Sequence, residues 1–412
     1  MKLIVTKILL GLTMLLFILN VQTGYAQQTT TTPQPTAQDT LMDRITALEQ
    51  QAFQQKRGED HFMVVGLTTF GLVTNATTNT LAGASTTTRS STFGNGDTYE
   101  FSPMLLWRHG NKFLMEFEPS FNNDGLSVNW ADISYFAAPG LIIRAGCMVL
   151  PFGIYNKRLA AGWIDKLATD PIGLDIPVST DYGFEIMGGL PLGDMKWSYD
   201  VGVFNGMQLL PDGQLQGAGI TDNNINKTFS GRIGLLPLSN SALEFGFSAL
   251  TGKVGDEGSM YANSKANMYA FDVSYIQPIR PFTVNIKGQF NIMNVDRANY
   301  VNPNDSTQSY TYNNHSTSGF AQISVRPAFV DNILKNFEVA YRYASSITPA
   351  MSDWGQNQTQ STIGVAYWIN WRTVLKLSHE IINTNSTVNP GIVPYGGITN
   401  SNSWYIQFSI QL

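Results

Sequence analysis

Apolar and polar residues alternate with a period of two through most of the chain, in segments of about ten residues. In 404–412 (WYIQFSIQL), Trp404 and Phe408 fall on one face of a strand, and Gln407 falls on the other. The segment 336–344 (NFEVAYRYA) repeats this arrangement. In a membrane-spanning barrel, outward side chains meet lipid and inward ones meet water. The repetition predicts an all-β chain that forms a transmembrane antiparallel β-barrel.

About sixteen such segments follow one another, and their connections alternate between short and long. The predicted strands are 62–73, 98–108, 112–121, 126–137, 141–150, 181–190, 195–206, 227–237, 241–251, 265–277, 280–293, 316–327, 334–345, 359–370, 372–383 and 402–412. Outer-membrane barrels have short periplasmic turns and long outer loops. The long links include 74–97 and 151–180, and only 122–125 is short where a long loop is expected. An even strand count returns both termini to the periplasm.

The first 26 residues have the layout of a secretory signal peptide: two early lysines, an apolar run at 8–19 and a small residue, Ala26, at the end. We expect a polar linker at 27–38 and a short periplasmic helix or coiled coil at 39–57. That helix could associate with copies of itself or cap the barrel alone. The barrel domain is expected to cover 61–412.

The composition fits a membrane barrel: 43% of residues are hydrophobic and 13% are charged, against about 25% charged in soluble proteins. The formal net charge of −5 does not indicate a nucleic-acid partner. Cys147 is the single cysteine, so the chain has no intramolecular disulfide, and we expect a buried or lipid-facing role for it.

A barrel of about sixteen strands leaves an aqueous channel. The charges that alternation places on its inner wall are of both signs, so they either orient small polar solutes or simply solvate a wet wall. The residues predicted to line or constrict the pore are Arg144, Lys157, Arg158, Asp165, Lys166, Arg232, Lys287, Glu338, Arg342 and Lys376.

The longest link, 151–180, alternates charged and apolar residues. A loop of this length without strands of its own is usually functional or disordered, and its apolar content argues against disorder. We expect it to fold into the lumen as a constriction. The alternative is an outer lid.

No feature predicts catalysis, a cofactor or a metal site. The chain has four histidines, and none stands near a serine-bearing nucleophile signature. Acidic residues of loop 151–180 could bind calcium, but a solvated loop is the favoured interpretation.

The segment 144–153 (RAGCMVLPFG) resembles the phosphate-selective porin O/P family, in which a strand ending in Gly-x-x-x-x-Pro-Phe-Gly leads into the third loop. The matching residues are Gly146, Pro151, Phe152 and Gly153. The resemblance implies a sixteen-stranded channel that assembles as a trimer. Those anion channels are lysine-rich along the lumen, whereas the wall predicted here is mixed.

The sequence thus predicts a porin of a Gram-negative outer membrane, surrounded by lipid, through which small hydrophilic solutes or ions diffuse passively. The family resemblance implies that it is a trimer. Two alternatives remain: an occluded barrel that acts as an adhesin or partner scaffold, and an anion- or phosphate-selective channel. Mixed charges favour weak ion selectivity.

Overall fold

The computed structural model describes residues 60–411, except 95–97, 124, 163, 178, 218–221, 223 and 394–395. The predicted signal peptide, linker and helix lie outside the described residues. The strands are His61–Leu81 (β1), Ala84–Phe93 (β2), Tyr99–His109 (β3), Phe113–Asn122 (β4), Gly125–Ala138 (β5), Leu141–Val149 (β6), Thr180–Leu192 (β7), Met195–Phe204 (β8), Met207–Leu209 (β9), Leu215–Gly217 (β10), Thr228–Leu236 (β11), Leu243–Lys253 (β12), Lys265–Ile279 (β13), Phe282–Val295 (β14), Tyr300–Asn302 (β15), Asp305–Tyr310 (β16), His315–Pro327 (β17), Phe337–Ile347 (β18), Gln356–Asn370 (β19), Thr373–Ser386 (β20) and Ile398–Gln411 (β21).

Antiparallel pairing closes these strands into a barrel. The main sheet has 17 strands in the described part of the chain. Strand β2 pairs with β1 alone, so sixteen strands form the ring. The ring closes where β1 pairs with the last strand, β21, with Leu67 opposite Gln411. The predicted fold class is confirmed.

In the described part of the chain, the helical segments are short: Tyr155–Arg158 (α1) and a 3-10 turn at Ile333–Asn336. Within the described residues, no helix has the length and apolar character needed to cross a membrane.

The alternation in the sequence becomes an inside and an outside. On β21, Trp404 and Phe408 are exposed on the outer surface, whereas Gln407 and Ser409 are buried in the interior. The backbone N–H and C=O groups pair between strands around the ring, which is the condition for placing a sheet in lipid.

The segment 74–97 was predicted to be a loop, but most of it forms a β-hairpin. Strand β1 continues to Leu81 and forms a hairpin with β2. Threonines and serines dominate this hairpin, and hydroxyls pair across it, as between Thr78 and Thr87 at 2.9 Å. Its side chains are polar on both faces, so hydrophobic alternation gave no signal, although β-branched threonine favours strands.

The two prolines inside predicted strands are accommodated locally. Pro119 lies at a register shift between β4 and β5. Pro103 lies opposite Gly66 of β1. A Cβ at Gly66 would lie 2.3 Å from the carbonyl oxygen of Ser102, so only glycine permits this close approach.

Apolar side chains fill part of the barrel interior. Met148, Phe204, Leu250 and Met268 of the wall pack with Phe152 and with residues of the outer connections. The latter include Leu209, Leu215, Tyr300 and Tyr312. Open space is therefore expected on the side of the ring formed by β1 and β3 to β5.

Candidate functional site

Loop 151–180 runs inside the barrel, and glycines direct it there. Gly153 has a φ of +65°, and its N–H donates to Ser248 Oγ of β12 at 3.0 Å. The next two N–H groups, of Ile154 and Tyr155, donate to Gln289 Oε1 of β14 at 2.8 and 3.0 Å. The loop therefore leaves β6 and crosses the interior toward the wall of β12 and β14.

Backbone conformation and close contacts explain why glycine occupies both glycine positions of the Gly-x-x-x-x-Pro-Phe-Gly motif. Gly146 has a φ of +137°, and a Cβ there would lie 2.2 Å from the carbonyl oxygen of Ala131 on β5. A Cβ on Gly153 would lie 2.2 Å from Gln289 Nε2. Between them, Phe152 is buried in the apolar interior. The motif allows β6 to pack closely on β5 and the loop to turn inward.

Helix α1 carries two bases to carboxylates of the wall. Lys157 forms ion pairs with Glu185, at 3.4 Å, and with Asp200. Arg158 forms an ion pair with Glu244. Burial lowers the pKa of the Lys157 ammonium to about 8, and the Glu185 carboxylate opposes this shift.

The middle of the loop meets the opposite wall. Lys376 of β20 donates to the carbonyl oxygens of Gly162 and Leu167, at 2.5 and 2.9 Å. Arg342 of β18, with a fully buried side chain, donates to Asp165 Oδ2 at 3.2 Å. Lys166 lies 3.6 Å from Glu338.

The end of the loop is bound in the same way. Thr169 Oγ1 donates to Glu380 Oε2 at 2.7 Å, and the Ala168 N–H donates to Ser378 Oγ at 3.1 Å. Gln360 of β19 accepts from the Ile172 N–H at 3.2 Å. The loop thus contacts strands on widely separated parts of the ring.

Most of the predicted pore residues meet at this loop. The structure brings the loop's Lys157, Arg158, Asp165 and Lys166 into contact with the wall. The partners include three predicted wall residues: Glu338, Arg342 and Lys376.

The other three predicted residues lie in the wall itself. Arg144 contacts three carboxylates, of which Asp132 is nearest at 2.7 Å. Arg232 contacts Asp272, at 2.6 Å, and Glu244, which it shares with Arg158. Lys287 is buried on β14, facing inward like Gln289.

An open cavity of about 340 Å³ remains beside the loop. It is lined by β1, β3 and β4 on one side and by loop residues from Asn156 to Ile164 on the other. Sequence reasoning missed three of its lining residues, Glu100, Met104 and Leu106. The run MLLW at 104–107 was the available signal, because consecutive apolar residues indicate a strand that is apolar on both faces.

Three of the four histidines bond to a carboxylate or to a side-chain amide. His109 bonds to Asp60, at 2.8 Å, and His315 and His379 bond to the asparagines 294 and 402. Among the described residues, no group of three or more His, Cys, Asp and Glu side chains is arranged to hold a metal ion.

Known proteins resemble the chain in fold. No protein-family model matches the sequence, and no curated protein matches it either. The outer membrane channel DcaP of Acinetobacter baumannii is 10% identical, with a TM-score of 0.52 over 87% of this chain and 100% of that one. An anion-selective porin from Comamonas acidovorans is 13% identical, with a TM-score of 0.49 over 86% and 100%. OprB of Pseudomonas putida is 8% identical, with a TM-score of 0.48 over 84% and 94%. The DcaP comparison shows that this chain shares the barrel fold of an outer-membrane channel.

Proposed function

We propose that this protein is an outer-membrane porin through which small hydrophilic solutes or ions diffuse passively. The observation that carries the proposal is the cavity of about 340 Å³ beside loop 151–180, inside a ring of sixteen strands. Rings of sixteen to eighteen strands are wide enough for an aqueous channel. We propose no catalytic role.

Loop 151–180 is the constriction in this proposal. Its contacts with Glu244 on one wall and Lys376 on another support a fixed position across the lumen. Solutes would then pass on the side of β1, β3 and β4.

The charges at the loop support weak selection among small inorganic ions. Lys157, Arg158 and Arg342 each contact a carboxylate within the barrel. Paired charges of opposite sign cancel at distance, and fields are screened over about 10 Å at 0.1 M salt. This arrangement favours a general channel over a phosphate-selective one, although the Gly146 to Gly153 motif resembles the phosphate-selective family.

We also propose that three copies associate in the membrane, as the family resemblance implies. The outer surface of β3 and β4 supports this, since Phe101, Phe117 and Phe121 are exposed on it. The link between β4 and β5 is short as well, so no long loop covers this outer surface. Chemical cross-linking in mild detergent should yield a species of three chains. A single-chain species as the sole product would contradict trimer formation.

An occluded barrel is the second candidate, and the outer connections favour it. Tyr312 donates to the carbonyl oxygen of Asp212 at 2.7 Å, and the indole N–H of Trp354 donates to the same oxygen at 3.2 Å. These bonds join separate outer loops over part of the barrel mouth. A barrel sealed in this way would serve as an adhesin or partner scaffold.

Single-channel recording in a planar bilayer separates the two functions. The channel proposal predicts stepwise current from the purified protein, and larger steps when residues 156–166 are replaced by a short glycine-serine link. A matched replacement of residues 81–91, which are exposed at the end of the β1–β2 hairpin, is the control and should leave the step size nearly unchanged. Absence of current from the intact protein would favour the occluded barrel. Steps unaffected by the loop replacement would place the constriction elsewhere.

A further inference from the structure

The cavity beside loop 151–180 has a chemical character that differs from the rest of the interior. It follows β1 from His61 to Leu67 and β3 from Glu100 to Arg108. These two strands pair along this stretch, with His61 opposite Arg108 and Thr69 opposite Glu100. The cavity therefore extends along most of the paired length of these two strands.

One side of the cavity is apolar. Met63, Val65 and Leu67 of β1 line it together with Met104 and Leu106 of β3. On the facing loop, Ile164 packs against Leu67. Lumen-facing positions of porins are normally polar. An apolar wall inside a wet passage favours solutes with an apolar body, because contact removes apolar surface from water.

The same strand wall also carries carboxylates, on β3 and β4, that accept bonds from neutral groups. Glu118 accepts from Asn129 Nδ2 at 3.1 Å. Glu100 accepts from the hydroxyls of Ser102 and Ser120 at 2.5 and 3.2 Å. The serine hydroxyls leave the negative charge of Glu100 uncancelled, unlike the ion pairs at the loop.

Gln411 adds an acceptor at the same cavity. Its side chain lines the cavity and is only 7% exposed, and its Oε1 atom has no hydrogen-bond partner among the described residues. A buried acceptor without a partner is costly, and a donor group on a passing solute would satisfy it.

The basic residues at the cavity are engaged elsewhere. Arg158 forms an ion pair with Glu244 of the opposite wall. Arg108 donates to the carbonyl oxygens of Gly110 and Asn111 in the periplasmic turn. Glu116 also lines the cavity but contacts Arg144 at 3.3 Å. Asp170 lines the cavity as well and accepts from the Tyr155 hydroxyl. On the strand wall, Glu100 is thus the carboxylate that can attract a cation, and Glu118 adds a hydrogen-bonding group beside it.

We propose that this passage prefers amphipathic organic cations, meaning solutes with an apolar body and an amine or ammonium group. The proposal rests on the channel function and specifies its solute class. The apolar body lies against β1 and β3, and the charged group passes Glu100 and Glu118. A volume of about 340 Å³ is within the range of small-molecule sites.

The test is a set of permeability ratios, obtained from reversal potentials in planar bilayers. Benzyltrimethylammonium is the probe, benzenesulfonate is its anionic counterpart, and tetramethylammonium lacks the aromatic body. We expect the aromatic cation to be the most permeant of the three. A higher permeability for benzenesulfonate would overturn the proposal and leave the channel function intact. Absence of current with every salt would refute the channel function itself.

Amino-acid substitutions test which residues cause the preference for amphipathic cations. The double variant Glu100→Gln and Glu118→Gln should lower the ratio of aromatic cation to aromatic anion by about five-fold, as expected for loss of partly exposed charge pairing. Glu257→Gln, at an exposed position of an outer loop, makes the same chemical change and should leave the ratio unaltered. Leu106→Asn should reduce the advantage of benzyltrimethylammonium over tetramethylammonium. An unchanged ratio in the double variant would overturn the assignment, and the wild-type ratios test the preference even if a variant fails to fold.

Discussion

At the scale of single residues, the interior depends on a few long basic side chains that connect the loop with the wall. Arg342 is 0% exposed and contacts Asp165 and Thr169 of the loop. An unpaired buried charge is much more costly than a well-packed apolar group. The position of loop 151–180 therefore depends on such pairs being complete.

Replacing Arg342 with methionine should release the loop. The change leaves the Asp165 carboxylate without its guanidinium partner, at a cost of about 3 kcal/mol or more. We expect larger and noisier single-channel steps from this variant. Arg89→Met, on the exposed strand β2, removes the same charge and should keep the wild-type step size. Identical recordings from the Arg342 and Arg89 variants would show that Arg342 does not position the loop.

The pH dependence of loop opening should follow Lys157. Its pKa is about 8 in the folded barrel, below the ordinary 10.5, because burial disfavours the ammonium. A loop withdrawn into water regains the ordinary pKa, so the docked state binds fewer protons between these two values. Rising pH from 8 to 10 should therefore favour docking, by up to about 1.4 kcal/mol per pH unit. Fewer large openings are expected at pH 9.5 than at pH 7, and Lys157→Met should reduce the difference. More frequent large openings at pH 9.5 than at pH 7 would contradict the role assigned to Lys157.

At the scale of elements, strand positions were predictable wherever one face is apolar and the other polar. The alternation in 404–412 corresponds to β21, which begins earlier, at Ile398. The hairpin of β1 and β2 was missed because its threonines and serines show no alternation. Apolar and polar residues alternate along a strand when one face is apolar and the other is polar. A strand that is polar on both faces shows no such alternation.

The sequence indicated which residues belong to the candidate site, but not which of them contact one another. Residues of loop 151–180 and of the wall could be named from charge and alternation. The sequence could not indicate that Lys376 binds carbonyl oxygens of the loop, since the two are more than two hundred positions apart. The cavity on the side of β3 was missed because a proline and the apolar run at 104–107 obscured the inward face of that strand.

Gly153 offers a test of how the loop turns inward. Gly153→Val should displace the loop, because the new Cβ would lie 2.2 Å from Gln289 Nε2. The residue also has a positive φ, which is unfavourable for a β-branched side chain. Gly258→Val is the control, since its φ is +81° but nothing lies within 4 Å of its Cβ position. Increased conductance in the first variant alone is the expected result. Equal conductance in both would mean that the close contact with Gln289 does not determine the loop's path.

At the scale of the whole molecule, the barrel has an apolar exterior that requires lipid or detergent. Phe62, Phe70 and Phe290 are at least half exposed on it. A soluble protein rarely exposes so continuous an apolar surface. The exposed apolar side chains therefore indicate that lipid or detergent surrounds the folded barrel.

The folded protein should migrate differently on gels before and after heating in detergent. A closed barrel resists unfolding at room temperature because every strand has two neighbours, whereas boiling opens the ring. Circular dichroism of the extracted protein should be rich in β-structure. A predominantly helical spectrum would contradict the barrel, and a spectrum of the boiled sample provides the unfolded reference.

The contacts of loop 151–180 also determine the order in which the protein can mature. The Ala168 N–H and Ser378 Oγ are 210 positions apart, and Arg342 and Asp165 are 177 apart. The loop precedes these strands in the chain, so its contacts form only after the later strands are in place. We predict that the ring closes before the loop docks, so that the pore is wider at first and narrows when the loop reaches the wall. Vesicles filled with dye during refolding should leak in an early burst and then retain what remains.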